Sequence, residues 1–211
     1  MASPGDLTHP AYGLVRPVTD TASVVLCDNP GPMTLEGTNT WVLRGPGSDE
    51  IVVVDPGPDD AVHIDTLRGL CAGLHVAPLH PLRARIASLA GLLHGQALTL
   101  RYYRDTGLRR WVEQTVRDEG IDAVVVFSSS MAQYAEALNL PMLVDFVDVD
   151  SAKWTQYADQ HRWPMSWLYR REGRQLLAYE RAIAARCERA FFVTEKETAL
   201  FCSLAPECTQ Q

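Results

Sequence analysis

Hydrophobic and polar positions follow different rhythms on either side of about residue 60. Before it, the apolar runs are short and of strand length: Ser23 to Cys27, Thr38 to Leu43 and Ile51 to Val54. They are rich in β-branched and aromatic residues, and Asn29-Pro30-Gly31-Pro32 and Gly45-Pro46-Gly47-Ser48 punctuate them as turns. This pattern predicts an antiparallel meander, with Asp55-Pro56-Gly57 ending its third strand.

After residue 60, helical and strand patterns alternate. Val62 to Leu70 has helical spacing, and Leu74 to Ala77 reads as a short strand. Leu82 to Leu93 predicts an amphipathic helix with Leu82, Ile86, Leu89 and Leu93 on one side. Asp105 is placed to cap a helix running to about Glu119, with Gly120 as its stop. Asp122 to Phe127 is a continuous apolar strand, suited to a parallel sheet covered on both faces. Ser130 to Leu138 reads as helix, Pro141 to Val147 as strand, and Ser151 to His161 and Ser166 to Cys187 as helices. Ala190 to Val193 closes the set, and Thr194 and Glu195 open a last helix.

Strands and helices alternating through short connections predict βαβ units, a parallel sheet and right-handed crossovers. Ligands of such sheets sit at the carboxyl ends of the strands. Two loops therefore matter: Ser128-Ser129-Ser130, after Phe127, and Asp148-Val149-Asp150-Ser151, after Val147.

Composition narrows the function classes. The 211 residues are 46% hydrophobic and 21% charged, enough for a packed core. The net charge of −7 argues against nucleic acid as a partner, because that binding rests on neutralising phosphates with Lys and Arg. Cys27, Cys71, Cys187, Cys202 and Cys208 are odd in number and contain no CxxC pair, which fits a reducing compartment. With no signal-peptide pattern and no run of about 20 apolar residues, the expected location is cytoplasmic.

Several long strings carry a family resemblance. His75 to Arg85, Phe127 to Tyr134, Asp145 to Ser151, Trp163 to Gly173 and Tyr179-Glu180-Arg181 resemble a GT-B sugar transferase of the kind associated with bacterial exopolysaccharide and PEP-CTERM export systems. Over residues 60–206 the resemblance implies the Rossmann-like acceptor domain of a retaining glycosyltransferase. Such enzymes move a sugar from a nucleotide-sugar donor to a glycan or lipid-linked acceptor, without a metal or resident cofactor. The opening is similar to something else. His9 to Gly13, Leu35 to Trp41 and Val52 to Gly57 resemble the start of a metallo-β-lactamase-fold hydrolase, without its HxHxDH zinc motif. His9 and Asp55 are carried over from that family as scaffold, and no metal site is expected. The expected organisation is a β-rich segment over 1–59, an acceptor domain over 60–206 and a tail over 207–211. The glycine loop that usually meets the donor phosphates, and a donor domain, are expected to be missing, as in a chimeric or truncated frame. The chain alone is then expected to turn over no nucleotide sugar. Ile51 to Val54 would fill a vacant position in the parallel sheet.

Asp148 and Asp150 are the candidate catalytic residues. Ser128, Ser129, Ser130, Ser151 and Lys153 are the candidate substrate-binding residues, with Arg162 a further candidate for an acceptor phosphate. Each has a plainer reading: the serines and acids cap helices, and the cations are solvated. Arg83, Arg85, Arg101, Arg104, Arg109 and Arg110 form either a solvated helix face or one that lies against the anionic inner membrane. Trp163, Trp167, Tyr169 and Tyr179 are expected in packing roles, and Glu172 and Glu180 in local pairs with neighbouring arginines such as Arg171 and Arg181, or with i+4 partners. The rival functions are a metallo-hydrolase fragment and a noncatalytic glycan-binding or interaction module.

Overall fold

The computed structural model describes residues 9–32, 34–49, 51–54 and 57–208. They group into two compact units, Met1–His75 and Val76–Gln211.

The first unit is the expected meander with one further strand at its start. β1 (Val15–Pro17), β2 (Ala22–Leu26), β3 (Asn39–Arg44) and β4 (Ile51–Val54) pair antiparallel in chain order. β4 lies against β3, with Trp41 opposite Val54, so Ile51–Val54 does not enter the parallel sheet. The tight turn at Gly45–Ser48 explains this, since it folds the strand straight back onto its predecessor. Gly37, at φ 147°, is required where it stands, because a Cβ there would lie 2.0 Å from the Cys27 carbonyl oxygen. α1 (Ala61–Arg68) is capped by the Asp60 carboxylate, which accepts from the His63 N–H at 2.8 Å. His63 is buried, and its Nε2 meets Thr40 Oγ1 at 2.8 Å, tying α1 to β3. The change of pattern near residue 60 therefore falls inside this unit, whose boundary is at His75. Asp55 lies outside the described residues.

The second unit is built on a parallel sheet of β5 (Val124–Phe127), β6 (Met142–Val147) and β7 (Arg189–Phe192), in that order. Leu74–Ala77 is not a strand. Around the sheet lie α2 (Pro81–Ser88), α3 (Ala90–Leu93), α4 (Leu98–Tyr102), α5 (Thr106–Asp118), a 3-10 helix Ser129–Tyr134, α6 (Asp150–Gln160), α7 (Met165–Ala184) and α8 (Glu195–Leu204). Asp105 caps α5 as its position predicts, its Oδ1 accepting from the Leu108 N–H at 2.7 Å. One sheet face is covered: Val126, Val144 and Phe146 pack with Ile183 of α7 and Phe201 of α8. The other is open, with Val125 and Phe191 exposed. The expectation of a strand buried on both faces is corrected here, because helices cover this sheet from one side.

Two further expectations change. The stripe of Leu82, Ile86, Leu89 and Leu93 faces solvent, at 74%, 71%, 52% and 88% exposure, and the buried residue of α2 is Ser88. Trp163 and Trp167 are likewise exposed rather than packed. α6 and α7 approach each other closely. A Cβ on Gly173 would lie 2.6 Å from Thr155 Oγ1 and 2.9 Å from the Ser151 carbonyl oxygen, so the bare glycine permits this approach. Among the described residues no helix is long and apolar enough to cross a membrane.

Candidate functional site

β5 and β6 pair in parallel, so the loops after Phe127 and after Val147 leave the same edge of the sheet, as their sequence positions anticipated. Both exits are strained. Ser128 has φ 72° and the β-branched Val147 has φ 66°, a conformation that L residues rarely adopt. Local bonds hold it in place. The Ser128 N–H donates to the Asp145 carbonyl at 2.8 Å, and the Val147 N–H donates to Asp145 Oδ1 at 2.9 Å. Strain concentrated at one edge of a sheet marks it as a candidate site.

The named serines divide. Ser128 is half-buried, and its hydroxyl meets that of Ser130 at 3.2 Å. Ser129 and Ser130 are buried. Ser151 is also buried and committed to Glu180: its N–H and hydroxyl bond the two carboxylate oxygens at 3.2 and 2.5 Å. Of the serine candidates, Ser128 is therefore the one that reaches solvent.

Asp148, Asp150 and Lys153 come together. Lys153 Nζ bridges Asp148 Oδ2 at 2.7 Å and Asp150 Oδ1 at 3.2 Å, with all three partly exposed. Burial works against the Lys153 charge, but its hydrogen bonds to the two carboxylates carry its pKa above the ordinary lysine value. The triad leaves one net negative charge at the edge. Its ion pairs are solvated, so each is worth about 0–1 kcal/mol.

Beside this triad, on α6, Trp154 enters a cavity of about 320 Å³ with Tyr102, Tyr103 and Tyr169. The Trp154 and Tyr169 rings are 5.4 Å apart, and the Tyr102 and Tyr103 rings meet edge-on at 4.9 Å. Arg85 and Glu172 complete the polar part of the wall. Burial raises the Tyr103 hydroxyl pKa, and the nearby Tyr102 and Asp150 raise it further, so the cavity is electrostatically joined to the acidic edge.

Glu172 holds this cavity in shape. Its carboxylate accepts from the Leu98 N–H at 2.7 Å, the Thr99 N–H at 2.8 Å and the Thr99 hydroxyl at 2.8 Å. It thereby satisfies the free amides at the start of α4, which carries Tyr102. Arg171 donates to the Gly91 and Gln96 carbonyls at 2.8 and 3.1 Å, anchoring the segment just before α4. Glu172 does pair with its neighbour Arg171, at 3.9 Å, whereas Glu180 bonds Ser151 and, among the described residues, no arginine. Both glutamates are buried, and they join α7 to distant segments.

Sequence reasoning passed over Tyr102, Tyr103 and Trp154. The signal available was the Tyr102-Tyr103 doublet and a tryptophan on the helix that follows the acidic loop. Among the described residues no group of three or more His, Cys, Asp or Glu side chains could hold a metal ion. His9 instead lies 3.5 Å from Glu36. Comparison with protein-family models, curated proteins and solved structures yields no match.

Proposed function

We propose that residues 76–208 form a Rossmann-like, GT-B-type acceptor domain whose aromatic cavity receives a sugar ring of a glycan or lipid-linked acceptor. The observation that carries this reading is the cavity's make-up. Tyr102, Tyr103, Trp154 and Tyr169 give flat apolar walls, while Arg85, Ser88, Thr99 and Glu172 give polar groups among them. A sugar ring needs both, an apolar face to stack and hydroxyls to bond. In this reading Asp148 and Asp150 accept hydrogen bonds from sugar hydroxyls, and Lys153 keeps the acid pair in a fixed orientation. The parent activity would be sugar transfer from a nucleotide-sugar donor.

Titrating the protein with a panel of neutral mono- to trisaccharides, read by tryptophan fluorescence, tests binding. Trp154→Ala is expected to weaken it about tenfold, the loss of one aromatic stacking contact, with Trp154→Phe restoring most of it. Absence of saturable binding by the wild type, or equal binding by Trp154→Ala in a folded protein, would refute the proposal.

The α2–α3 face adds a location. Its exposed apolar stripe is flanked by Arg83 and Arg85, a pattern complementary to an anionic bilayer. We expect the protein to sediment with vesicles containing phosphatidylglycerol and far less with pure phosphatidylcholine. An Ile86→Ser/Leu93→Ser variant should lose at least about tenfold in that partitioning, as expected for removing two buried aliphatic side chains. Unchanged sedimentation of the variant would dismiss this face.

A further inference from the structure

A second cavity, of about 300 Å³, adjoins the first. α2 contributes Arg85 and Ser88 to the aromatic cavity and Arg83, Ala84 and Ala87 to this one. The helical period puts those two sets on different faces of α2. The second cavity gathers His80, Arg83, Arg101 and Arg104. Asp105 also lines it, but its carboxylate is engaged in capping α5.

The three arginines are not neutralised. Among the described residues no ion pair involves Arg83, Arg101 or Arg104. Among the described residues, the side-chain bonds of Arg101 and Arg104 go from Nε to the neutral amides of Gln96 and Gln133, at 3.1 and 3.4 Å. These bonds orient the guanidinium forks and leave their terminal amino groups to a ligand. In a chain of net charge −7, such a concentration of positive charge is not a by-product of composition.

We propose that this cavity is a binding site for a phosphoryl anion, and by charge count for a diphosphate. Three guanidinium groups offset by one carboxylate leave two positive charges, which match a ligand carrying about two negative ones, and guanidinium forks bind phosphate oxygens in pairs. The ligand is either a soluble diphosphate or the headgroup of a phospholipid, reached beside the α2 face. The inference is independent of glycan binding, which uses the other cavity.

Isothermal titration of the full chain with inorganic pyrophosphate at low salt tests the site. Saturable one-to-one binding is expected, weakened about tenfold by Arg83→Gln through loss of a charge-assisted bidentate contact. Arg83 is exposed and, among the described residues, makes no side-chain hydrogen bond or ion pair, so this variant should fold, which its unfolding transition verifies. Arg110→Gln removes the same charge outside the cavity and should bind as the wild type does. Trp154→Ala should also retain pyrophosphate binding, separating failure here from failure of the glycan reading. Competition by vesicles containing phosphatidic acid identifies a lipid source, and binding that such vesicles do not displace identifies a soluble one. Either result supports the site. No saturable binding, or equal loss in Arg83→Gln and Arg110→Gln, overturns it.

Discussion

Replacing Glu172 by alanine is expected to destabilise the second unit by about 3–5 kcal/mol, the range for breaking a buried charged hydrogen-bond cluster. Three donors lose their acceptor at once: the Leu98 and Thr99 amides and the Thr99 hydroxyl. Arg171, buried and 3.9 Å from the Glu172 carboxylate, loses its neighbouring negative charge as well. Domains are commonly stable by only about 5–15 kcal/mol, so this one side chain accounts for a large share. Glu172→Gln keeps one acceptor oxygen and should fall between alanine and the wild type. Thr99→Val removes a single hydroxyl bond and should cost about 1 kcal/mol. Urea unfolding of the three variants provides the ranking. A Glu172→Ala loss below that of Thr99→Val would show that the carboxylate does not organise α4. The change should also reach function, because α4 carries Tyr102 into the aromatic cavity.

The second large effect is on pH dependence. Glu180 is buried, and burial pushes its pKa up to about 7. The two hydrogen bonds from Ser151 pull it back, Asp150 raises it again, and Lys153 lowers it. In the unfolded chain the same carboxyl titrates near 4.5. Between these values the folded protein holds a proton that the unfolded chain has released, so stability falls as pH rises. The contribution is fully present below about 4.5 and is lost as pH passes through about 7, a span worth on the order of 3 kcal/mol. Glu180→Gln has no proton to lose. Its amide can accept from the Ser151 N–H and donate to the Ser151 hydroxyl, so the local bonds survive. The difference in unfolding free energy between variant and wild type should therefore grow from pH 5 to pH 8. A constant difference across that range would contradict a raised Glu180 pKa.

Much of the element order was legible because it is written in short windows. The turn residues at Asn29–Pro32 and Gly45–Ser48, the apolar runs of β2 to β7 and the cap at Asp105 all act on neighbours a few residues away. The structure finds them where the pattern puts them, except that the first turn closes later, with the Thr34 N–H donating to the Gly31 carbonyl. Lys153 joining Asp148 and Asp150 is also local, as the three lie within the six residues after β6. The site walls were not legible in that way. Trp154 and Tyr169 meet across two helices with their rings tilted at 37°, and Tyr102 and Tyr103 arrive from a third, so no window contains them all.

Periodicity states that a face is apolar but not whether anything covers it. Leu82, Ile86, Leu89 and Leu93 form the stripe that helical spacing predicts, yet they face solvent. Asp122 to Phe127 has the apolar run of a strand covered twice, and the structure covers it once. Charged residues show the reverse. Glu172 and Glu180 have the spacing of surface ion pairs, but they are buried against segments 74 and 29 residues away. Local sequence placed most strands, long helices and caps, because backbone preference and side-chain periodicity act over a few residues. It failed at Leu74–Ala77, which is not a strand, and at Ser130–Leu138, where a 3-10 helix covers only Ser129–Tyr134. Tertiary structure alone decided which apolar faces are covered, which carboxylates are buried and which aromatic rings enclose a cavity. Each of those depends on what a distant segment brings into contact.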